Sequence, residues 1–256
     1  LVDIHSHILP GIDDGAQTFE ESLAMLQLAA ETGTTDIVAT PHANSSFVYD
    51  EQVVDGLIAE LSEQAGDLLR IHRGCDFHIN FDNLSDALRI PTKYTVNGGR
   101  YLMVELPEMP SLPVMRTALG RLLAIHVVPI ITHPERNVAL CSNLHELEGW
   151  VRDGCLLQVT AQSLFGRFGQ TSLRVSETLM NSGQVHFVAS DAHDCLDRAP
   201  NLAPAYQMVA ERWGSERADA LFVDHPMAVI TNNPIFVAAP KPSKKPARSS
   251  FWKRAN

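Results

Sequence analysis

Residues 1–15 read LVDIHSHILPGIDDG. Leu1, Val2 and Ile4 form a short apolar run. His5 and His7 follow on alternate positions, ahead of Pro10, Gly11 and the pair Asp13-Asp14. Side chains two apart on a strand share a face, so the two imidazoles aim at one point. Neutral imidazole is the commonest metal ligand, and two on one face supply half of a tetrahedral site. An isolated H-x-H is more often a pair of solvated histidines. The rest of the chain decides between the two readings.

Seven apolar runs recur along the chain: LVDIHSH (1–7), TDIVATPH (35–42), LLRIHRGCDFHI (68–79), RYLMVELP (100–107), VVPIITHPER (127–136), CLLQVTAQS (155–163) and VHFVASDAH (185–193). Near-continuous apolar runs suit parallel strands buried on both faces. Helix-like stretches lie between them. In TFEESLAMLQLAAETG (18–33), Thr18 is a candidate cap, Glu21 completes a capping box and Gly33 offers a left-handed stop. PVMRTALGRLLAIH (113–126), LHELEGWVRDG (144–154), TSLRVSETLMNSG (171–183) and LAPAYQMVAERWG (202–214) behave alike. Strand followed by helix, repeated, predicts an α/β fold with a parallel sheet. Polar residues end nearly every strand instead of gathering at one switch point, which favours a barrel over an open sheet.

Those strand ends carry the chemistry. The first gives His5 and His7, then Asp13 and Asp14; the second gives His42; the third, Asp76 and His78; the fourth, Glu105; the fifth, His133; the seventh, Asp191 and His193. In a βα barrel these ends converge on one face. Each residue alone has a plain structural role: a hydrogen-bonded histidine, an Asp-Asp-Gly turn, a solvated strand end. Their joint recurrence points to a pocket with more ligands than one ion uses, hence two or three divalent ions. His78 is expected to stay out of the set. His72, His126, His145, His186 and His225 read as structural or surface residues, with His126 on a helix. Arg136 and Arg198 fall just beyond predicted ligands. Arginine is the bidentate partner of phosphate, so a phosphate-bearing substrate is expected.

The order H-x-H, H, D/E, E, H, D-x-H resembles the PHP (polymerase and histidinol phosphatase) superfamily of metal-dependent phosphoesterases. DIHSHILPGIDDGAQTFEES, IVATPH, YLMVELP, PIITHPERN, ASDAH and ALFVDHPMAVITNN are similar to the PHP-type bacterial protein-tyrosine phosphatases of capsule and exopolysaccharide gene clusters. The similarity spans about residues 2–235. It implies a distorted (β/α)7 TIM-like barrel, the PHP fold. It implies metal ligands His5, His7, Asp14, His42, Asp76, Glu105, His133, Asp191 and His193, with Arg136 and Arg198 on the phosphate and Asp191 and His193 also serving the chemistry. Manganese is the implied metal, with iron or zinc also suited to the mixed nitrogen and oxygen donors. The implied partner is a tyrosine-phosphorylated bacterial tyrosine kinase. Two features depart from the family pattern. Asp76 stands where relatives carry Glu, and ANSSF follows His42 where some carry basic residues. A histidinol-phosphate-like small-molecule phosphatase and a non-catalytic kinase-binding regulator are the alternatives.

Composition narrows the field further. The chain has 256 residues and a net charge of −10. Residues 240–256 hold six of the 20 Lys and Arg and no acid, leaving 1–239 with 14 basic side chains against 30 acidic ones. So acidic a body argues against nucleic acid as a ligand. Residues 1–239 are expected to form one phosphatase domain and 240–256 a basic, Pro- and Lys-rich disordered tail. No apolar run approaches the length of a membrane span, and no signal peptide is expected. The four scattered cysteines suit a reduced, cytoplasmic setting. None has an arginine six residues on, so the C-x5-R loop of thiol-dependent phosphatases is missing. A homo-oligomer is compatible with all of this.

Overall fold

The structure is a computed structural model that describes residues 1–235; the expectation for residues 240–256 lies outside the described residues. The strands are β1 (Val2–Ser6), β2 (Asp36–Ala39), β3 (His42–Ala43), β4 (Arg70–Arg73), β5 (Asp76–His78), β6 (Tyr101–Glu105), β7 (Val128–Thr132), β8 (Leu156–Thr160) and β9 (Phe187–Ala189). The helices are α1 (Phe19–Glu31), α2 (Glu51–Ala65), α3 (Phe81–Arg89), α4 (Leu112–Ala124), α5 (Val138–Cys141), α6 (Leu144–Asp153), α7 (Gly169–Ser182), α8 (Ala203–Trp213), α9 (Ser215–Asp219) and α10 (His225–Ile230), with a π-helical turn at Ala220–Asp224 joining the last two.

All pairings are parallel, in the orders β1-β2-β4 and β3-β5-β6-β7-β8-β9. The two sheets meet at both edges. Pro41 interrupts the second strand, and β2 and β3 are its halves; Gly74 and Cys75 interrupt the third, and β4 and β5 are its halves. Gly74 N–H donates to Ala39 O (2.8 Å) and Asp76 N–H to Pro41 O (3.1 Å), which bridges the break. At the other seam Asp191 N–H donates to His5 O (2.9 Å) and His7 N–H to Ala192 O (2.8 Å). The result is a ring of seven parallel staves, distorted at Pro41, at Gly74 and along β1. Gly74 is needed at the break because a Cβ there would lie 2.7 Å from a methyl of Val38.

Strand alternation divides the core. Val2, Ile4, Val38, Tyr101, Met103, Ile130, Leu156, Phe187 and Ala189 pack together inside the ring. Ile37, Leu102, Val104, Ile131, Leu157 and Val188 face the helices, against residues such as Met25, Leu61, Leu119 and Trp150. Two positions beyond the inner residues, on the same face, come Glu105 after Met103, Thr132 after Ile130, Gln158 after Leu156 and Asp191 after Ala189. The apolar plug thus ends where the polar pocket begins. In β1 alternation alone would set His5 opposite Ile4. The register shift along this strand resolves the conflict: Asp3 pairs with Ile37 but Ser6 with Ala39, three steps against two. This bulge re-aims the residues beyond it, so His5 and His7 point inward although Ile4 does too.

Helix α1 is capped by Thr18, whose hydroxyl accepts from Glu21 N–H (3.2 Å). Glu21 reaches back to Gln17 N–H (2.6 Å), one residue before the cap that a strict capping box would use. The expectation that His126 lies on a helix is corrected. α4 ends at Ala124, and His126 has φ 64°, turning the chain into β7 with its N–H on Leu123 O.

Candidate metal centre

Five imidazoles and four carboxylates crowd the C-terminal mouth of the ring. Their donor atoms fall into four groups, each within 4.8 Å: His7, Asp14, His42 and His193; His5, His7 and Asp76; His5, His133 and Asp191; His42, Asp76 and Glu105. His5 Nε2 lies 3.6 Å from Asp76 Oδ2 and 3.5 Å from Asp191 Oδ1. His7 Nε2 is 3.6 Å from Asp191 Oδ1, and His42 Nε2 is 3.4 Å from Asp14 Oδ1. Asp76 Oδ2 also faces His42 Nδ1 at 3.3 Å and His133 Nε2 at 4.0 Å. Most of these gaps are too long for good hydrogen bonds. They match the roughly 3.4 Å edge between two ligands of a tetrahedral ion bonded at about 2.1 Å.

The histidines are oriented from behind. His5 Nδ1–H donates to Gln158 Oε1 (3.0 Å), His7 Nδ1–H to Asp13 Oδ2 (2.7 Å) and His193 Nδ1–H to Asp191 O (3.0 Å). In the neutral ring each bond keeps the proton on Nδ1 and turns Nε2 toward the cluster. Asp13 also accepts from His42 N–H (3.1 Å) and Gly15 N–H (3.0 Å), so one buried carboxylate ties together both ends of the site. Gly15 has to be glycine, since a Cβ would stand 2.0 Å from His7 O. His133 (φ 34°) and Asp191 (φ 53°) both sit in the left-handed region, an uncommon backbone for residues with a Cβ. Such strain is found where surrounding structure enforces it, often at functional sites.

Electrostatics follow from the crowding. Burial works against charge on Asp191, yet His5, His7, His133 and Arg198 hold its carboxyl far below the usual range. Burial also opposes protonation of His7, but bonds to Asp13 and Asp191 carry it up to about 10. Burial and Arg136 bring His133 down to about 4.

Two arginines converge on the same carboxylate. Arg198 Nη2 is 2.5 Å from Asp191 Oδ2, and Arg136 Nη1 donates to that oxygen as well. Asp191 therefore turns Oδ1 to the histidines and Oδ2 to the guanidiniums. The structure brings together every residue expected at the site. His78 stands at the edge, Nδ1 3.3 Å from Glu105 Oε2 and outside the four groups. His72 pairs with Asp36, His186 Nδ1 accepts from Leu157 N–H, His225 donates to His186 O, and His145 is exposed.

A family model for capsular polysaccharide synthesis, CpsB/CapC, matches residues 1–231. The chain belongs to the CpsB/CapC family. Tyrosine-protein phosphatase CpsB of Streptococcus pneumoniae is 30% identical over 241 residues, covering 90% of this chain and 98% of that protein. Tyrosine-protein phosphatase YwqE of Bacillus subtilis is 30% identical over 259 residues, covering 98% and 100%. A solved structure from work on YwqE of Bacillus subtilis and CpsB of Streptococcus pneumoniae, described as metal-dependent tyrosine phosphatases, superposes with a TM-score of 0.85 at 29% identity, over 96% of this chain and 100% of that one.

The residues of this CpsB/CapC chain fit metal ions on their own geometry. Asp76 Oδ2 and His42 Nδ1 are buried without a hydrogen-bond partner, in the midst of donors that cannot all satisfy one another. Such orphans carry a desolvation cost that a cation removes. Gln158 gives no signal in the sequence because it is an amide within the apolar run of β8. Asp13 is visible there, but only as a neighbour of Asp14. The cysteines stand apart from the chemistry. Burial raises the Cys75 thiol well above its ordinary value and pushes Cys155 up to about 12, and it raises Cys141 and Cys195 as well.

Proposed function

We propose that this chain is a metal-dependent protein-tyrosine phosphatase that hydrolyses phosphotyrosine on a bacterial tyrosine kinase controlling capsule or exopolysaccharide synthesis. The observation that carries the reading is Asp191, a single carboxylate joining a cluster of metal donors to two arginines. His5, His7, Asp14, His42, Asp76, Glu105, His133, Asp191 and His193 would hold two or three ions. Manganese heads the candidates, with iron and zinc suited to the same mixed donors. Bound ions supply Lewis acidity toward the phosphoryl oxygens and lower the pKa of water.

The protein's own part is binding and alignment. Arg136 and Arg198 take the phosphate in charge-assisted, bidentate contacts and balance the charge spread over its oxygens during transfer. Asp13 and Gln158 hold His7 and His5 in the ligating tautomer. Asp191 keeps arginines and ligands in fixed relation, and its carbonyl orients His193. A phenol has a pKa near 10, so tyrosinate departs with less help than an alkoxide. The raised thiols favour this route over covalent thiol catalysis. No helix among the described residues is long and apolar enough to cross a membrane. A cytoplasmic enzyme working on a kinase substrate accords with that and with the four free cysteines.

The test is turnover of a phosphotyrosyl peptide against histidinol phosphate and short DNA, with and without chelation. Chelation should abolish peptide hydrolysis and Mn should restore it, while thiol alkylation leaves it nearly intact. Full activity in a metal-free preparation would refute the reading.

A further inference from the structure

The metal cluster accounts for one edge of Arg136 and leaves its other side unexplained. Nη1 bonds Asp191, whereas the guanidinium carbon lies 4.4 Å from the centre of the Phe168 ring. Beside that stack, the turn Pro134–Arg136, α5 and the start of α7 line a half-open cavity of about 470 Å³, walled by Arg136, Val138, Phe168 and Thr171 among others. Val138 is 78% exposed. Apolar surface opening beside Arg136 has no evident role in stability. The wall is also held firmly. Glu135 is buried, and its Oε1 accepts from the Ser163 hydroxyl (2.6 Å) and Thr160 N–H (3.0 Å), which pins the turn carrying Arg136 to the end of β8.

We propose that this cavity is an aryl subsite: it receives the ring of the leaving tyrosine while the phosphate sits on Arg136 and Arg198. The inference rests on the phosphatase reading above and adds the source of its selectivity. In an aryl phosphate the ring begins one oxygen beyond phosphorus. A ring so placed is within reach of the groups that flank the phosphate-binding guanidinium, and on one face of Arg136 those are Phe168 and the cavity. Size permits it, since a cavity of about 150 Å³ already holds benzene. Aromatic pairs stabilise each other beyond the area they bury. A small alkyl phosphate binds the same arginines and leaves the cavity empty, so the subsite favours aryl over alkyl esters.

The experiment compares kcat/KM for phenyl phosphate and ethyl phosphate in the metal-loaded full chain, with metal content measured for each variant. Phe168→Ala removes the ring platform, and Thr171→Phe fills the space. Both should lower the phenyl-to-ethyl ratio by about five- to thirty-fold relative to wild type, the scale of a lost aromatic contact and its burial. Phe168→Tyr, which keeps the ring, should restore the ratio to within about two-fold. Independently of turnover, p-cresol should shift the Val138 methyl resonances in wild type and not in Thr171→Phe. An equal fall for both esters in Phe168→Ala would show that Phe168 only supports Arg136 and would overturn the subsite. So would an unchanged ratio in Thr171→Phe, or no p-cresol shift in wild type. A wild type that hydrolyses neither ester overturns the phosphatase reading itself, a separate and recognisable result.

Discussion

Asp13→Asn tests how the site is held together. Asp13 Oδ2 accepts from both His7 Nδ1–H (2.7 Å) and His42 N–H (3.1 Å), while Oδ1 accepts from Gly15 N–H (3.0 Å). Asparagine has nearly the same shape but only one acceptor oxygen. If its amide nitrogen replaces Oδ2, it opposes His42 N–H and can satisfy His7 only by donating to Nδ1. The ring proton then moves to Nε2, the atom that faces His5 Nε2 at 3.4 Å and Asp191 Oδ1 at 3.6 Å. If the amide flips, its nitrogen opposes Gly15 N–H instead. Either way a buried donor loses its partner, at about 1–3 kcal/mol. In the first orientation His7 can no longer ligate. Losing such an orienting partner weakens metal affinity by about 10–100-fold. The assay is competition with a chelator of known affinity, alongside the unfolding midpoint of the metal-free protein. Reduced stability together with metal affinity within about two-fold of wild type would refute the reasoning. It would mean that Asp13 only staples the loop and does not set the tautomer.

Arg136→Ala and Arg198→Ala each leave Asp191 with one guanidinium. They should retain metal while kcat/KM falls by about 10–100-fold or more; His5→Ala should lose metal, and elemental analysis of the three separates the roles. Asp76→Glu lengthens the carboxylate whose Oδ2 is shared among His5, His42 and His133; it should tighten one weakly held ion and flatten activation by added Mn, and superimposable metal titrations for wild type and variant would sink the idea. Burial brings His186 down to about 3, below the unfolded value of about 6.5. Because the folded pKa is depressed, stability is full above about pH 6.5 and falls as pH drops toward 3. His186→Asn, whose side-chain oxygen can still accept from Leu157 N–H, should flatten that acid limb in pH-dependent thermal unfolding.

How much of this was legible in the sequence depends on the kind of signal each residue carries. The seven staves were readable because buried parallel strands are apolar without interruption, and every quoted run contains the strand or pair of strands observed, save that β3 runs one residue past the second run. The candidate ligands were readable because most lie at or near the end of such a run, with Asp14 in the loop after the first, and the ring brings those ends together. The part that stayed hidden was geometry that spacing does not encode. H-x-H announced two imidazoles on one face, but by alternation alone that face would oppose Ile4. Only the bulge, three steps of β1 against two of β2, lets Ile4 plug the ring while His5 and His7 enter the pocket. The pairing of Gln158 with His5 spans 153 residues and joins an amide to an imidazole, which no local pattern foretells. Asp76 shows the same limit from the other side. Its side chain is one methylene shorter than the glutamate that the family resemblance implies, and by length alone it would fall short as a ligand. Yet the break at Gly74 and Cys75 resets the strand just before it, Asp76 N–H bonds Pro41 O (3.1 Å), and Oδ2 ends up facing three imidazoles. Reach is set by the backbone as much as by the side chain. The Asp76→Glu titration thus asks whether this backbone already compensates for the missing carbon or leaves one ion a bond too far.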